Sequence, residues 1–202
     1  PEMYLPYGMS CFTSGQYPNY SLTMSFRDLN AAFRVAGDSV IFEPENPNLE
    51  ELNLFYHFLK QLDEKICLDA RKNSMIWFKK NKIEPSDLAK YYTPQIRQTE
   101  PYPEVFKAKI VYRDGKFDCP IYENEHTRSK KSLQKVLAKG ERVQALIQCT
   151  GLWFIEHKFG CSWKVKQIKI KTRPPIDNKP FTSLGMFQTY QFVEDSDDCT
   201  TE

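Results

Sequence analysis

A chain of 202 residues with 41% hydrophobic and 14% aromatic content can build one folded domain with a substantial core, which excludes wholesale disorder. No window approaches the roughly eighteen apolar residues of a membrane helix, and the opening PEMYLPYGMS lacks the basic leader and apolar run of a secretory signal. An intracellular protein outside the membrane is therefore expected. Net charge is only +2, yet residues 101–173 hold 16 Lys+Arg against 7 Asp+Glu, while the remainder holds 12 against 19. A basic segment between acidic flanks points to a polyanionic partner.

In chain order, two β-like runs come first, Tyr7–Thr13 and Tyr20–Phe26, separated by the turn-forming SGQYPN. A third, Ser39–Phe42, ends at EPENPN, where Pro47 and Asn48 prepare a helix start. From Leu49 to Arg71 apolar residues recur at helical spacing (Leu52, Phe55, Tyr56, Leu59, Leu62, Ile66), which predicts a long amphipathic helix. Short helices are expected at Met75–Phe78 and after Pro85, with Met75, Trp77 and Phe78 covering the core. Thr93–Pro103, with three prolines, reads as a connector.

The second half reads as strands. Phe106–Arg113 and Lys116–Tyr122 flank Asp114-Gly115, the strongest short signal for a hairpin. On the first run Phe106, Ala108, Ile110 and Tyr112 share one face, and Lys107, Lys109 and Arg113 carry the charge. The lysine-rich ENEHTRSKKS leads into a short helix at Ser132–Ala138, closed by Gly140. Arg142–Cys149 is the next strand, with Val143, Ala145, Ile147 and Cys149 inward. A hairpin follows, Gly151–His157 and Cys161–Thr172, turning around Lys158-Phe159-Gly160.

That last strand has a phase error. Val165 falls on one parity and Ile168 and Ile170 on the other, so one extra residue near Lys166–Gln167 is expected. The bulge would leave Lys164, Lys166, Lys169 and Lys171 outside. Short strands, a bulged bend and a helix between strands together predict an α+β fold, mainly antiparallel β. Its centre would be an OB-fold-like five-stranded barrel with a long packed helix and a small helical insertion. A jelly roll or a plain sandwich fits the same pattern. Residues 1–190 form the expected domain, with a helical insertion at 49–92 and a basic β core at 104–173; residues 191–202 form an acidic tail (Glu194, Asp195, Asp197, Asp198, Glu202).

Enzyme signatures are missing: no Gly-rich phosphate loop, no GxSxG, no HExxH. His57, on the long helix, reads as a core or boundary residue. The six cysteines are scattered and apart from the histidines, so neither a metal site nor a cofactor is expected, and buried free thiols are the simplest reading. Lysines along a strand, by contrast, can neutralise phosphates and release counterions. Rings beside them give unpaired bases a stacking platform, worth about 1–3 kcal/mol per base. Lys107, Lys109, Arg113, Lys130, Lys131, Lys164, Lys166, Lys169 and Lys171 are the candidate phosphate contacts, and Tyr122, Trp153 and Phe159 the candidate platforms.

The order strand, Asp-Gly, strand, lysine-rich loop, short helix, then VQALIQCTGLWFIEHKFGCSWKVKQIKIK resembles single-stranded DNA-binding proteins of nucleocytoplasmic large DNA viruses. In that family the pattern Gly-x-Trp…Phe-Gly-x-Ser-Trp-Lys, here Gly151, Trp153, Phe159, Gly160, Ser162, Trp163 and Lys164, closes the core of an oligonucleotide-binding fold. The resemblance covers about residues 100–173, with the helix at 49–71 as an insertion. It implies a non-enzymatic binder of single-stranded DNA with little sequence preference, acting in viral replication, recombination or repair in the host cytoplasm or nucleus. Replication proteins would meet the acidic tail, and a homo-oligomer is open. A virion assembly protein and an RNA-binding factor on the same fold are the alternatives.

Overall fold

The computed structural model describes residues 1–14, 17–36, 39–42, 47–80, 82–123, 128–129, 132–156 and 158–170, all within a unit that spans Pro1–Thr172. Lys130, Lys131, Lys171, His157 and the acidic tail lie outside the described residues. In order come β1 (Glu2–Tyr4), β2 (Met9–Ser14), β3 (Tyr17–Ser25), α1 (Arg27–Ala32), β4 (Phe33–Ala36), β5 (Ser39–Phe42), α2 (Pro47–Lys72), α3 (Ser74–Phe78) and α4 (Pro85–Tyr91). Then follow β6 (Tyr92–Thr93), β7 (Ile96–Arg97), β8 (Val105–Ile110), β9 (Tyr112–Arg113), β10 (Lys116–Phe117), β11 (Ile121–Tyr122), α5 (Leu133–Val136), β12 (Arg142–Ile155) and β13 (Lys158–Ile170). The protein is α+β with a mostly antiparallel sheet.

β1 was not legible in the sequence, yet it ties the sheet together. It pairs with β12 (Met3↔Val143) and with β3 (Tyr4↔Ser25). The chain then bends at Gly8, which has φ +66°, and continues as β2 along β3. Three backbone bonds of 2.9 Å fasten this bend to the segment after α5: Leu5 N–H to Glu141 O, Gly140 N–H to Leu5 O, and Met9 N–H to Leu137 O. β3 carries Leu22, Met24 and then Phe26 into the core and pairs antiparallel with β8.

α2 forms as the spacing requires, and its stripe spans two clusters. Leu52 and Leu59 are fully buried in the main cluster, where Phe55 packs edge-on to Phe106 at 5.5 Å. Ile66 and Ala70 reach a second cluster with Ile83, Leu88 and Phe159. Each large side chain so buried contributes about 1.5–3 kcal/mol of transfer free energy. At the other end, Arg142 on β12 grips Asp28 on α1 through two guanidinium bonds, 2.7 and 3.1 Å.

β12 and β13 form a long hairpin. Leu146 faces Gln167, but Ile147 faces Val165, so Lys166 is the extra residue of the expected bulge. Val165 and Ile168 are fully buried and Ile170 packs against the core. A second irregularity skips Thr150, beside Gly151 at φ +112°. Val143 is buried and Ala145 and Ile147 half-buried, whereas Cys149, next to that irregularity, is exposed.

Several expectations are corrected. The hairpin turns at Glu156, with φ +53°, so Lys158, Phe159 and Gly160 belong to β13. The Asp114-Gly115 turn has both residues at positive φ, but its ladder stops after Arg113↔Lys116 and Tyr112↔Phe117. Beyond it the strands part, because β8 and β11 each pair parallel with β13 instead. Met75 and His57 are exposed, while Trp77 and Phe78 pack on Phe159.

Candidate nucleic-acid interface

On β8, Phe106, Ala108 and Ile110 fill the core, so alternation turns Lys107 and Lys109 to the solvent. The parallel pairing Lys109↔Lys164 sets a third lysine beside them, and the pairing Ile96↔Phe106, Arg97↔Val105 brings in Arg97 from β7. Opposite, Trp153 on β12 pairs with Gly160 on β13. A Cβ at Gly160 would stand 2.9 Å from Trp153 Cζ2, so the indole lies across the bare backbone there. Between these elements runs a groove of about 350 Å³, lined by Arg97, Lys107, Lys109, Trp153, Ile155, Cys161, Ser162 and Trp163. Three cations and no carboxylate line it, among the described residues. Such a surface attracts an anion and offers a flat ring beside it.

Trp163 faces inward. Its ring meets Phe106 at 5.6 Å, and its Nε1–H donates to Gln95 Oε1. Gln95 is itself buried and gives its backbone N–H and side-chain amide to Asp63 of α2, at 3.2 and 3.0 Å. Tyr92 Oη donates to the same carboxylate at 2.5 Å, and burial, then this bond, pushes the phenol's pKa above its ordinary value. The network thus fixes the segment Tyr92–Arg97, and with it Arg97, against the helix. No motif signals it, since Asp63 and Gln95 are 32 residues apart.

The candidates do not all converge. Lys107, Lys109 and Trp153 line the groove together; Lys164, half-buried, pairs with Lys109 but is not among the lining residues. Phe159 is not a platform: it is fully buried, stacked on Phe154 (5.8 Å, 7°) and wedged against Phe78 and Tyr92 at 5.1 Å each. The expected turn at Lys158-Phe159-Gly160 is instead the start of β13, which begins three residues before the expected Cys161, and Trp77 and Phe78 of α3 pack on the ring. Lys166 is exposed on the bulge. Tyr122 and Lys169 pair with each other, both half-buried, five residues along β13 from Lys164. Arg113 is exposed on the small hairpin beyond β8. Arg97 was missed because it sits in a two-residue strand among prolines.

Across the same hairpin, α3 and α4 frame a second pocket of about 200 Å³ with Trp77, Phe154, Tyr91 and three lysines, Lys79, Lys80 and Lys158, against one carboxylate, Glu156. Lys80 Nζ lies 5.1 Å from the Tyr91 ring centre. A larger cavity, about 650 Å³, lies between α2 and α4, but its lining is mostly apolar, with one carboxylate, Glu64, and one cation, Arg71, so it offers little to a polyanion. Among the described residues no group of three His, Cys, Asp or Glu is placed to hold a metal, and no helix is long and apolar enough to cross a membrane.

The model of a family of unknown function, DUF5871, matches residues 46–184, which include α2, the groove and the whole β12–β13 hairpin. The chain belongs to DUF5871. The family's match therefore takes in every described residue that lines the groove. Uncharacterized protein L291 of Acanthamoeba polyphaga mimivirus is 24% identical over 199 residues, 98% of this chain and 28% of that protein. The DUF5871 chain thus corresponds to little more than a quarter of the viral relative's length. No solved structure matches.

Proposed function

We propose that this DUF5871 chain binds single-stranded DNA, with little sequence preference, on a closed five-stranded barrel of the oligonucleotide-binding kind. The strand pairings support the barrel. The bent β1–β2 pairs with β12 and β3, β3 pairs with β8, β8 with β13, and β13 with β12, which returns the path to its start. In chain order α5 falls between the third and fourth of these strands. The observation that carries the binding reading is the groove itself: Arg97, Lys107 and Lys109 facing Trp153, free of carboxylates among its described lining residues. Cations bind the backbone without reading sequence, and a ring stacks on any unpaired base, whereas a duplex hides the base faces. Similarity to a mimivirus protein supports a viral setting; a place in replication, recombination or repair rests on the proposed binding of single strands alone. The acidic tail, residues 191–202, supplies a segment for docking replication proteins.

The test is a tryptophan-fluorescence titration with oligo-dT across a salt series. Each lysine on a phosphate contributes about 0.7 to the slope of log Kobs against log salt. Lys107→Ala/Lys109→Ala is expected to flatten that slope by about 1.4 and weaken binding at low salt. An unchanged slope would remove β8 from the interface.

A further inference from the structure

Cys149 lies opposite Trp163, and Cys161 precedes Trp163 by two residues, so the two thiols share a face of the hairpin diagonally across the Thr150 irregularity. Their sulfurs are 3.2 Å apart. A disulfide needs about 2.05 Å, so closing the gap asks for about an ångström of movement, at a place where the ladder is already broken. Cys149 is exposed and Cys161 half-buried. We propose that Cys149 and Cys161 form a dithiol site that a small-molecule disulfide, such as glutathione disulfide, converts into a reversible cross-strand bridge.

The two thiols have separate roles. Burial, then the hydrogen bond with Cys149, pushes the Cys161 thiol up to about 12, which makes it a poor first nucleophile. The exposed Cys149 attacks as its thiolate, breaking the glutathione S–S bond, forming a mixed disulfide and releasing one glutathione. Cys161 then loses its proton and displaces the second glutathione from Cys149. Two protein thiols are oxidised to one disulfide, and glutathione disulfide takes the two electrons and two protons as two thiols. The bridge fastens β12 four residues before Trp153 and β13 next to Ser162, both on the groove.

Cys161 lines the groove, but the dithiol chemistry does not depend on nucleic acid and is tested without DNA. The full chain, with Cys11→Ser and Cys199→Ser, is incubated with glutathione disulfide, then analysed by intact mass and non-reducing peptide mapping. The expected result is loss of two hydrogen atoms, peptides joined through Cys149 and Cys161, and reversal by dithiothreitol. In a Cys161→Ser variant the reaction is expected to stop with one glutathione on Cys149. A stable adduct on Cys149 in the chain that retains Cys161, or no reaction at either sulfur, would overturn the proposal.

Discussion

Replacing Gly8 by alanine is expected to destabilise the protein by about 2–5 kcal/mol. Two costs add. A side chain at φ +66° sits in left-handed backbone, which costs about 1–2 kcal/mol outside glycine. The new Cβ would also stand 2.5 Å from Leu137 O and 2.9 Å from Ala138 C and Lys139 N. These are backbone atoms, so no side chain can swing aside, and overpacking of this kind costs about 1–3 kcal/mol. The three backbone bonds that tie Leu5, Met9 and Gly140 together would have to shift with them. Urea unfolding should show the midpoint falling with an unchanged m-value. An unaltered midpoint would mean that the bend between β1 and β2 does not press against the segment after α5.

Phe159→Ala has an effect of similar size for a different reason. The ring has no exposed surface and is ringed by Phe78, Tyr92, Phe154 and, at 6.5 Å, Trp77. Four aromatic neighbours cannot collapse into the space, so the loss should fall in the range of about 3–5 kcal/mol for a phenylalanine truncated in a core. The variant separates two roles. A surface platform would lose DNA affinity at constant stability; a core residue loses stability, and its folded fraction still binds. Thermal unfolding beside an oligo-dT titration at a temperature where the variant stays folded would distinguish them.

Periodicity carried much of the fold. Leu52, Leu59 and Ile66 fall on one helical stripe and are buried as the spacing demands, and the parity conflict between Val165 and Ile168 located the bulge at Lys166. These are local signals, set by a period and one residue out of phase. What escaped was non-local. Glu2–Tyr4 is too short to show a period, and it becomes a strand only because β12 and β3 lie on either side of it. Arg142 and Asp28 meet across 114 residues, and Asp63, Gln95 and Trp163 across 32 and 68. The facing of Phe159 was lost for a related reason. Alternation says which residues share a side of the hairpin, but not that α3 covers one of those sides. Lys107, Lys109 and Trp153 were legible as candidates, whereas Arg97 needed the pairing of β7 with β8 to reach them.

The most direct measurement is photocrosslinking of the intact chain to a single-stranded oligonucleotide carrying 5-bromodeoxyuridine, with the attachment sites mapped by mass spectrometry. Attachment at Trp153, with Lys107 and Lys109 protected from amine labelling in the same complex, is the expected result. Attachment centred on Tyr122 or the apolar cavity between α2 and α4, or none at all, would contradict it.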